Sequence, residues 1–321
     1  MIYIVIGLVV VLLIVIIVML VGNFFYNIAL NVKTSKSFIF KHTDHDCQEE
    51  VDKKKQRQED QKWLEENAQD VYTKANNGGL KLHGYQIKQA QNNNNRWAIL
   101  IHGYTADAIE MTSAAKCFLS LGYQILMVDL RGHGKSEGTY IGMGWPDRLD
   151  ILDWIEWIVE QQTEAEIILY GVSMGAATVM MTMGEERLSK NVKLAIEDCG
   201  YTSVWEEFCW ELKTLFKLPA FPVLYAANFV AKVRAGYDLK KASSIEQLKK
   251  AKIPLLLIHG EDDKFVPFFM QEQLMHAGNG VKEKLVIKGA AHAECAKINP
   301  TLYWKTVEQF IDKYANTKEV D

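Results

Sequence analysis

Gly171-Val172-Ser173-Met174-Gly175 follows the apolar run Ile167-Ile168-Leu169-Tyr170 and opens a segment rich in Ala and Met that reads as helix. A serine between two glycines, at a strand-to-helix turn, has the layout of a nucleophile elbow. In so tight a turn, side chains two positions either side of the serine would collide, so glycine stands at 171 and 175. The serine hydroxyl then projects above the sheet edge, and the amide of Met174 points at the same spot. Three fixed small residues recur by chance in about one chain in ten of this length. The weight of the pentapeptide therefore lies in its surroundings.

Those surroundings alternate. Strand-like runs at 97–101, 124–128, 167–170, 192–196, 254–258 and 284–287 are separated by helical stretches near 110–121, 146–161, 174–187 and 270–276. A last helix is expected near 301–314, and Asn76-Asn77-Gly78-Gly79 between two short apolar runs signals a hairpin upstream. The pattern predicts an α/β fold, a mostly parallel sheet with helices on both faces. Such a sheet binds its ligand beyond the carboxyl ends of the strands.

A serine hydroxyl is a poor nucleophile until a base takes its proton. Of eight histidines, only His276 and His292 follow both the serine and the acidic candidates. His276 sits late in a helical stretch, whereas His292 lies in the loop just after the final strand-like run. That is the Ser, acid, His order this elbow requires. The acid must hold the imidazole tautomer and stabilise the imidazolium. Asp263, in the loop after Leu255-Leu256-Leu257-Ile258, is the first choice and Asp198, after the preceding strand, its rival. The oxyanion needs amide donors, and Met174 and Tyr104 supply them, with Gly103 permitting the turn that aims the second. The Tyr104 hydroxyl is a further candidate to assist.

Together, His102-Gly103-Tyr104, the run Asp129-Leu130-Arg131-Gly132-His133-Gly134-Lys135-Ser136, the elbow, Asp263-Lys264-Phe265-Val266-Pro267 and His292 resemble the α/β-hydrolase superfamily. The nearest likeness is to its serine aminopeptidase-like and monoacylglycerol lipase-like branch, in a bacterial membrane-anchored form. The resemblance covers about residues 70 to 315. It implies Ser173 as nucleophile, Asp263 as acid, His292 as base and the Tyr104 and Met174 amides as oxyanion hole. It makes His133 part of a structural loop. The reaction implied is cleavage of a carboxylic ester, acyl or aromatic, through an acyl-enzyme, with a peptidase or amidase as variant. A non-catalytic binding protein on the same fold is the other class. No cofactor and no metal are expected, since the mechanism needs only water.

Residues 2–21 carry no charge and one polar side chain, the Tyr3 hydroxyl. Twenty residues at about 1.5 Å rise span about 30 Å, the hydrocarbon core of a bilayer. Residues 1–22 are accordingly read as a transmembrane anchor at the cell membrane, 23–69 as a polar juxtamembrane linker or helix docked by Trp63 and Leu64, and 70–321 as the hydrolase domain. Which side of the membrane the domain faces stays open. His42-Thr43-Asp44-His45-Asp46-Cys47 has metal-ligand residue types but no second ligand group at a familiar spacing. Five scattered cysteines make no disulfide framework, and a net charge of −4 gives no reason to invoke nucleic acid. An insertion at about 200–250 supplies a small helical cap rich in aromatic residues, mostly for packing. Its apolar character suits a small-molecule ester or acyl substrate; the oligomeric state is not legible.

Overall fold

The computed structural model describes residues 1–36, 47–88 and 94–315, with the backbone alone at 47–50. The side chains of the run from His42 to Cys47 lie outside the described residues. Eight strands form one sheet: β1 Gln69–Lys74, β2 Lys81–Ile87, β3 Arg96–Ile101, β4 Gln124–Val128, β5 Glu166–Val172, β6 Val192–Asp198, β7 Leu255–Gly260 and β8 Lys282–Ile287. Their order is β1-β2-β4-β3-β5-β6-β7-β8. The β1–β2 hairpin joins antiparallel, and every pairing from β4 to β8 is parallel. The central strands read as continuous apolar runs because both faces are covered. Ile99 and Ile101 join the core on one face with Trp154 and Met180, while Ala98 and Leu100 join Phe118, Tyr303 and Phe310 on the other.

The chain order reverses at β3, which lies between β4 and β5, with Ile101 opposite Gly171. Loops leaving β3 and β5 are thereby neighbours at the carboxyl edge, where such sheets hold ligands. In chain order the helices are α1 Ile2–Leu30, α2 Cys47–Asn67, α3 Thr112–Ser120, α4 Asp147–Gln161, α5 Met174–Met183, α6 Val204–Phe216 and α7 Val223–Arg234. They continue with α8 Ser244–Leu248, α9 Phe269–Met275, α10 Cys295–Ile298 and α11 Pro300–Tyr314. The cap is α6 and α7, inserted between β6 and β7.

Helix α1 is long and apolar enough to cross a membrane, and residues 1–17 are exposed. It does not end where the apolar stretch ends. The segment from residue 23, read as a polar linker or helix, begins as helix, continuing to Leu30 against the cap. A Cβ on Gly22 would stand 2.6 Å from the Ala226 carbonyl carbon, so glycine lets α1 touch the α7 backbone. The Arg234 guanidinium donates to the side-chain oxygens of Asn23 and Asn27 and lies 4.4 Å from the Tyr26 ring centroid. Lys36 donates to the carbonyls of Ile28 and Asn31, satisfying acceptors that a helix end leaves open.

Helix α2 is polar except where it docks. Leu64 is buried, and Lys116 lies 4.9 Å over the Trp63 ring. Leu64→Ala is expected to lower the unfolding free energy by about 2 kcal/mol. Thermal or urea denaturation measures this, and a change under about 0.5 kcal/mol means that α2 adds no docking stability.

Candidate active site

Ser173 sits at φ 56° and ψ −116°, a backbone conformation that L-residues rarely adopt. Both elbow glycines are sterically required. A Cβ on Gly171 would lie 2.3 Å from the Gly175 carbonyl oxygen, and one on Gly175 would lie 2.1 Å from that of Ile101. The first glycine lets the turn fold on itself; the second lets α5 start against β3. The Ser173 amide donates to the Asp198 carbonyl at 2.8 Å, tying the elbow to the end of β6. Gly103 proves different from its expected role. Its backbone is outside the left-handed region and a Cβ there would make ordinary contact, 3.6 Å from that of Ser173.

The loop after β8 brings His292 to the serine. Ser173 Oγ is 2.8 Å from His292 Nε2, and His292 Nδ1 is 2.7 Å from Asp263 Oδ2. These partners fix the roles: the hydroxyl donates to Nε2, and Nδ1–H donates to the carboxylate. The other carboxylate oxygen, Oδ1, accepts the amides of Phe265 and Val266, each at 3.0 Å. Burial alone would raise the Asp263 carboxyl, but His259 and His292 hold it below the usual carboxylate range. His259 was not singled out from the sequence. Its Nε2 is 3.4 Å from Asp263 Oδ2 and 2.9 Å from the Val266 carbonyl, and the pair shares the start of one loop.

Asp198 is engaged elsewhere. Its Oδ2 accepts the Tyr303 hydroxyl at 2.9 Å, burial pushes its carboxyl up to about 6, and no described contact joins it to the His292 ring by hydrogen bond. The structure therefore brings Asp263 to His292 and leaves Asp198 to fasten β6 to α11.

Tyr104 follows β3, and Met174 is the first residue of α5, where an amide has no acceptor within its helix. Both line the space around Ser173. The Tyr104 hydroxyl does not assist there, because it donates to the Ala29 carbonyl of α1. Its carbonyl faces His133 Nε2 at 2.8 Å, which makes His133 a brace for this loop. His102 is also scaffold. Its Nδ1–H donates to the Gly103 carbonyl and its Nε2 accepts the Leu130 amide. Burial, helped by His133, lowers its pKa to about 4, so the ring stays neutral.

Two cavities meet at Ser173. One is a narrow apolar slot of about 100 Å³ lined by Phe208, Leu212 and Phe216 of α6, by Leu224 of α7, and by Phe25 and Ala29 of α1. The other is a wider cleft of about 490 Å³ that holds His292, Thr105, Glu110 and Lys297. Of the cap aromatics, Phe208 and Phe216 face the slot. Trp205 packs edge-on against Tyr225, and Trp210 against Phe269. Among the described residues, one cluster has ligand atoms close enough for a metal ion: Cys199, Asp263 and His292, within 4.8 Å of one another. It is a poor donor set. Metals bind the thiolate, and burial holds the Cys199 thiol well above its ordinary pKa; both His292 nitrogens are already hydrogen-bonded.

A parallel sheet of this order, an elbow serine after its central strand and a cap before the penultimate strand define an α/β-hydrolase. The chain matches X-Pro dipeptidyl-peptidase (S15 family) over residues 48–240, and it belongs to that family; it is a hydrolase. The matched stretch includes Ser173 and ends before Asp263 and His292. It is similar to uncharacterized protein YqkD of Bacillus subtilis (strain 168), 28% identical over 75% of this chain and 78% of that protein. Lysophosphatidylserine lipase ABHD12 of Rattus norvegicus is 30% identical over 50% of this chain, a stretch that makes up only 39% of the relative. Among solved structures, the Pyrococcus furiosus esterase Pf2001 superposes with a TM-score of 0.63 at 24% identity, over 79% of this chain and 96% of that one. This last likeness is one of fold.

Near the site, Glu197 is a fully buried acid whose Oε2 accepts the Gly200 amide at 2.8 Å, and burial pushes its pKa up to about 8. The unfolded chain releases this proton near pH 4.3, as a free glutamate does. Folding thus takes up a proton between those values, and stability falls as pH rises through that window. Glu197→Gln keeps the acceptor and removes the titration. Urea denaturation at pH 5 and pH 8 is expected to show wild type losing more stability than the variant; equal losses would mean that Glu197 stays ionised in the fold.

Proposed function

We propose that this protein is a serine hydrolase that cleaves carboxylic esters through an acyl-enzyme. In this reading Ser173 is the nucleophile, His292 the base, Asp263 the orienting acid, and the Tyr104 and Met174 amides form the oxyanion hole. One observation carries it: the unbroken hydrogen-bond chain from Ser173 Oγ through both His292 nitrogens to Asp263. His292 Nε2 takes the hydroxyl proton as Oγ attacks the acyl carbon, and the new imidazolium is stabilised by the Asp263 carboxylate. The two amides hold the negative oxygen. The imidazolium returns the proton to the leaving oxygen as the first C–O bond breaks. Water, deprotonated by the same nitrogen, then releases the acid and restores the serine.

The cavities divide the substrate. The apolar slot suits the acyl part, and the wider cleft, which holds the base, suits the leaving alcohol and the incoming water. The description of ABHD12 as a lysophosphatidylserine lipase supports a single-chain, lipid-like ester. The family description, X-Pro dipeptidyl-peptidase, favours the second reading, an amide bond cleaved on the same groups. The apolar slot favours the ester. Membrane anchoring through α1 belongs to the proposal as well. Tyr225, Phe229 and Val233 of α7, with Phe221 just before the helix, are exposed apolar side chains beside a groove lined by Val15, Ile16 and Met19 of α1.

A fluorophosphonate probe is expected to label wild type and spare Ser173→Ala, whose turnover should fall by roughly 10⁶. Labelling that persists in Ser173→Ala would move the nucleophile, and an unlabelled wild type would leave a binding protein on a hydrolase fold. Asp263→Asn should lower kcat by about 10⁴ while Asp198→Asn retains most activity; the opposite ranking would exchange the two acids. On p-nitrophenyl esters, kcat/KM should rise with acyl length until the slot is full, and a preference for acetate would contradict the lipid-like substrate.

A further inference from the structure

The slot beside Ser173 is not built by the hydrolase domain alone. Phe25, Ile28 and Ala29, in the last two turns of α1, stand in its wall opposite the cap residues. These turns are held on every side. Tyr26 and Leu30 are buried, the Leu30 carbonyl accepts the Ile141 amide at 2.8 Å, and Asn31 bridges to Tyr140. On the outer side Arg234 of the cap grips Asn23 and Asn27. At the site itself, the Ala29 carbonyl accepts the hydroxyl of Tyr104, a residue that lines both the slot and the cleft. The same helix whose first seventeen residues lie bare therefore ends as a fixed part of the site.

We propose that the end of α1 is a specificity-determining wall: Phe25, Ile28 and Ala29 set the length of the acyl chain that the slot accepts. The proposal rests on the reading that the slot holds the acyl part of the substrate. Ala29 is the small residue of the three, and its side chain borders space that a longer one would fill. Phe25 is the large one. It stacks edge-on against Phe216 of the cap, with ring centroids 5.0 Å apart, so removing its ring takes away part of the wall and enlarges the slot.

The test uses the full chain in detergent micelles and two opposed substitutions. Ser173 is labelled with fluorophosphonates carrying alkyl chains from ethyl to dodecyl, a readout that does not require the natural bond to be an ester. Wild type should label faster as the chain lengthens, up to a limit. Ala29→Leu should shorten that limit, with the dodecyl-to-ethyl rate ratio falling at least tenfold, on the basis of about fourfold per methylene lost from the slot. Phe25→Ala should move the limit to longer chains; it carries the test if Ala29→Leu does not fold. Both variants keeping the wild-type length profile would overturn the wall, as would a wild type labelled without regard to length. Hydrolysis of the matching p-nitrophenyl esters is measured alongside. Length-dependent labelling without ester turnover would sustain the wall and reject the ester reading, whereas absence of any Ser173 label would remove both.

Discussion

The site depends on a serine held in a backbone conformation that it would not choose. Strain of this kind costs about 1–3 kcal/mol and persists only where the surroundings over-determine it. Here the surroundings are the sheet. Gly175 lies against the Ile101 carbonyl, which admits no side chain, and the Ser173 amide is bonded to the Asp198 carbonyl. The elbow is thus pinned to β3 on one side and β6 on the other. The reversal of strand order at β3 sets the Tyr104 loop beside the serine, so the same topology supplies both the proposed nucleophile and the amides proposed to face its oxyanion.

Charge around the serine is sorted by hydrogen bonding. Asp263 is buried, yet two amides and two histidines surround its carboxylate and keep it ionised. Glu207 on α6 is as deeply buried, has no hydrogen-bond partner on either oxygen among the described residues, and burial raises it well above the ordinary range. Glu211, one turn later, is pushed to about 7 by burial and by Asp263. A buried ion is tolerated where donors replace its water, and elsewhere the group keeps its proton. The Asp263 carboxylate therefore stands ionised behind His292, where it can stabilise an imidazolium, while Glu207 keeps its proton. The apolar slot remains apolar although two glutamates border it.

Much of this was legible in the sequence because it is local. The strand runs fell within two residues of β3 to β8, since parallel strands buried on both faces are continuous apolar stretches. The elbow could be read from two glycines. The acids could be ranked, with Asp263 ahead of Asp198, but not separated outright, because both stand where a strand ends at the same edge of the sheet. Only the Tyr303 hydroxyl, more than a hundred residues away, explains what Asp198 does instead. Gly103 was assigned a steric role that its backbone does not need. His259 carries no local mark either, since its partner Asp263 comes to it only through the fold of the loop after β7. Composition likewise placed the end of the apolar stretch near residue 22, but nothing in it could show that the helix runs on for two more turns beneath the cap.

That extension changes what an anchor can do. A helix rises about 1.5 Å per residue, so Ala29 lies about 12 Å beyond residue 21 along α1. A bilayer that encloses the apolar stretch would have its surface within that distance of the slot, which is less than the length of an extended single acyl chain. The fixed geometry of the helix end also removes a freedom that flexible tethers keep. Arg234, Tyr26 and the two asparagines lock α1 to α7, so the domain cannot rotate about the axis of α1 without breaking the wall of the slot. With α1 in a membrane, as proposed, orientation at that membrane and the shape of the slot would be one structural property.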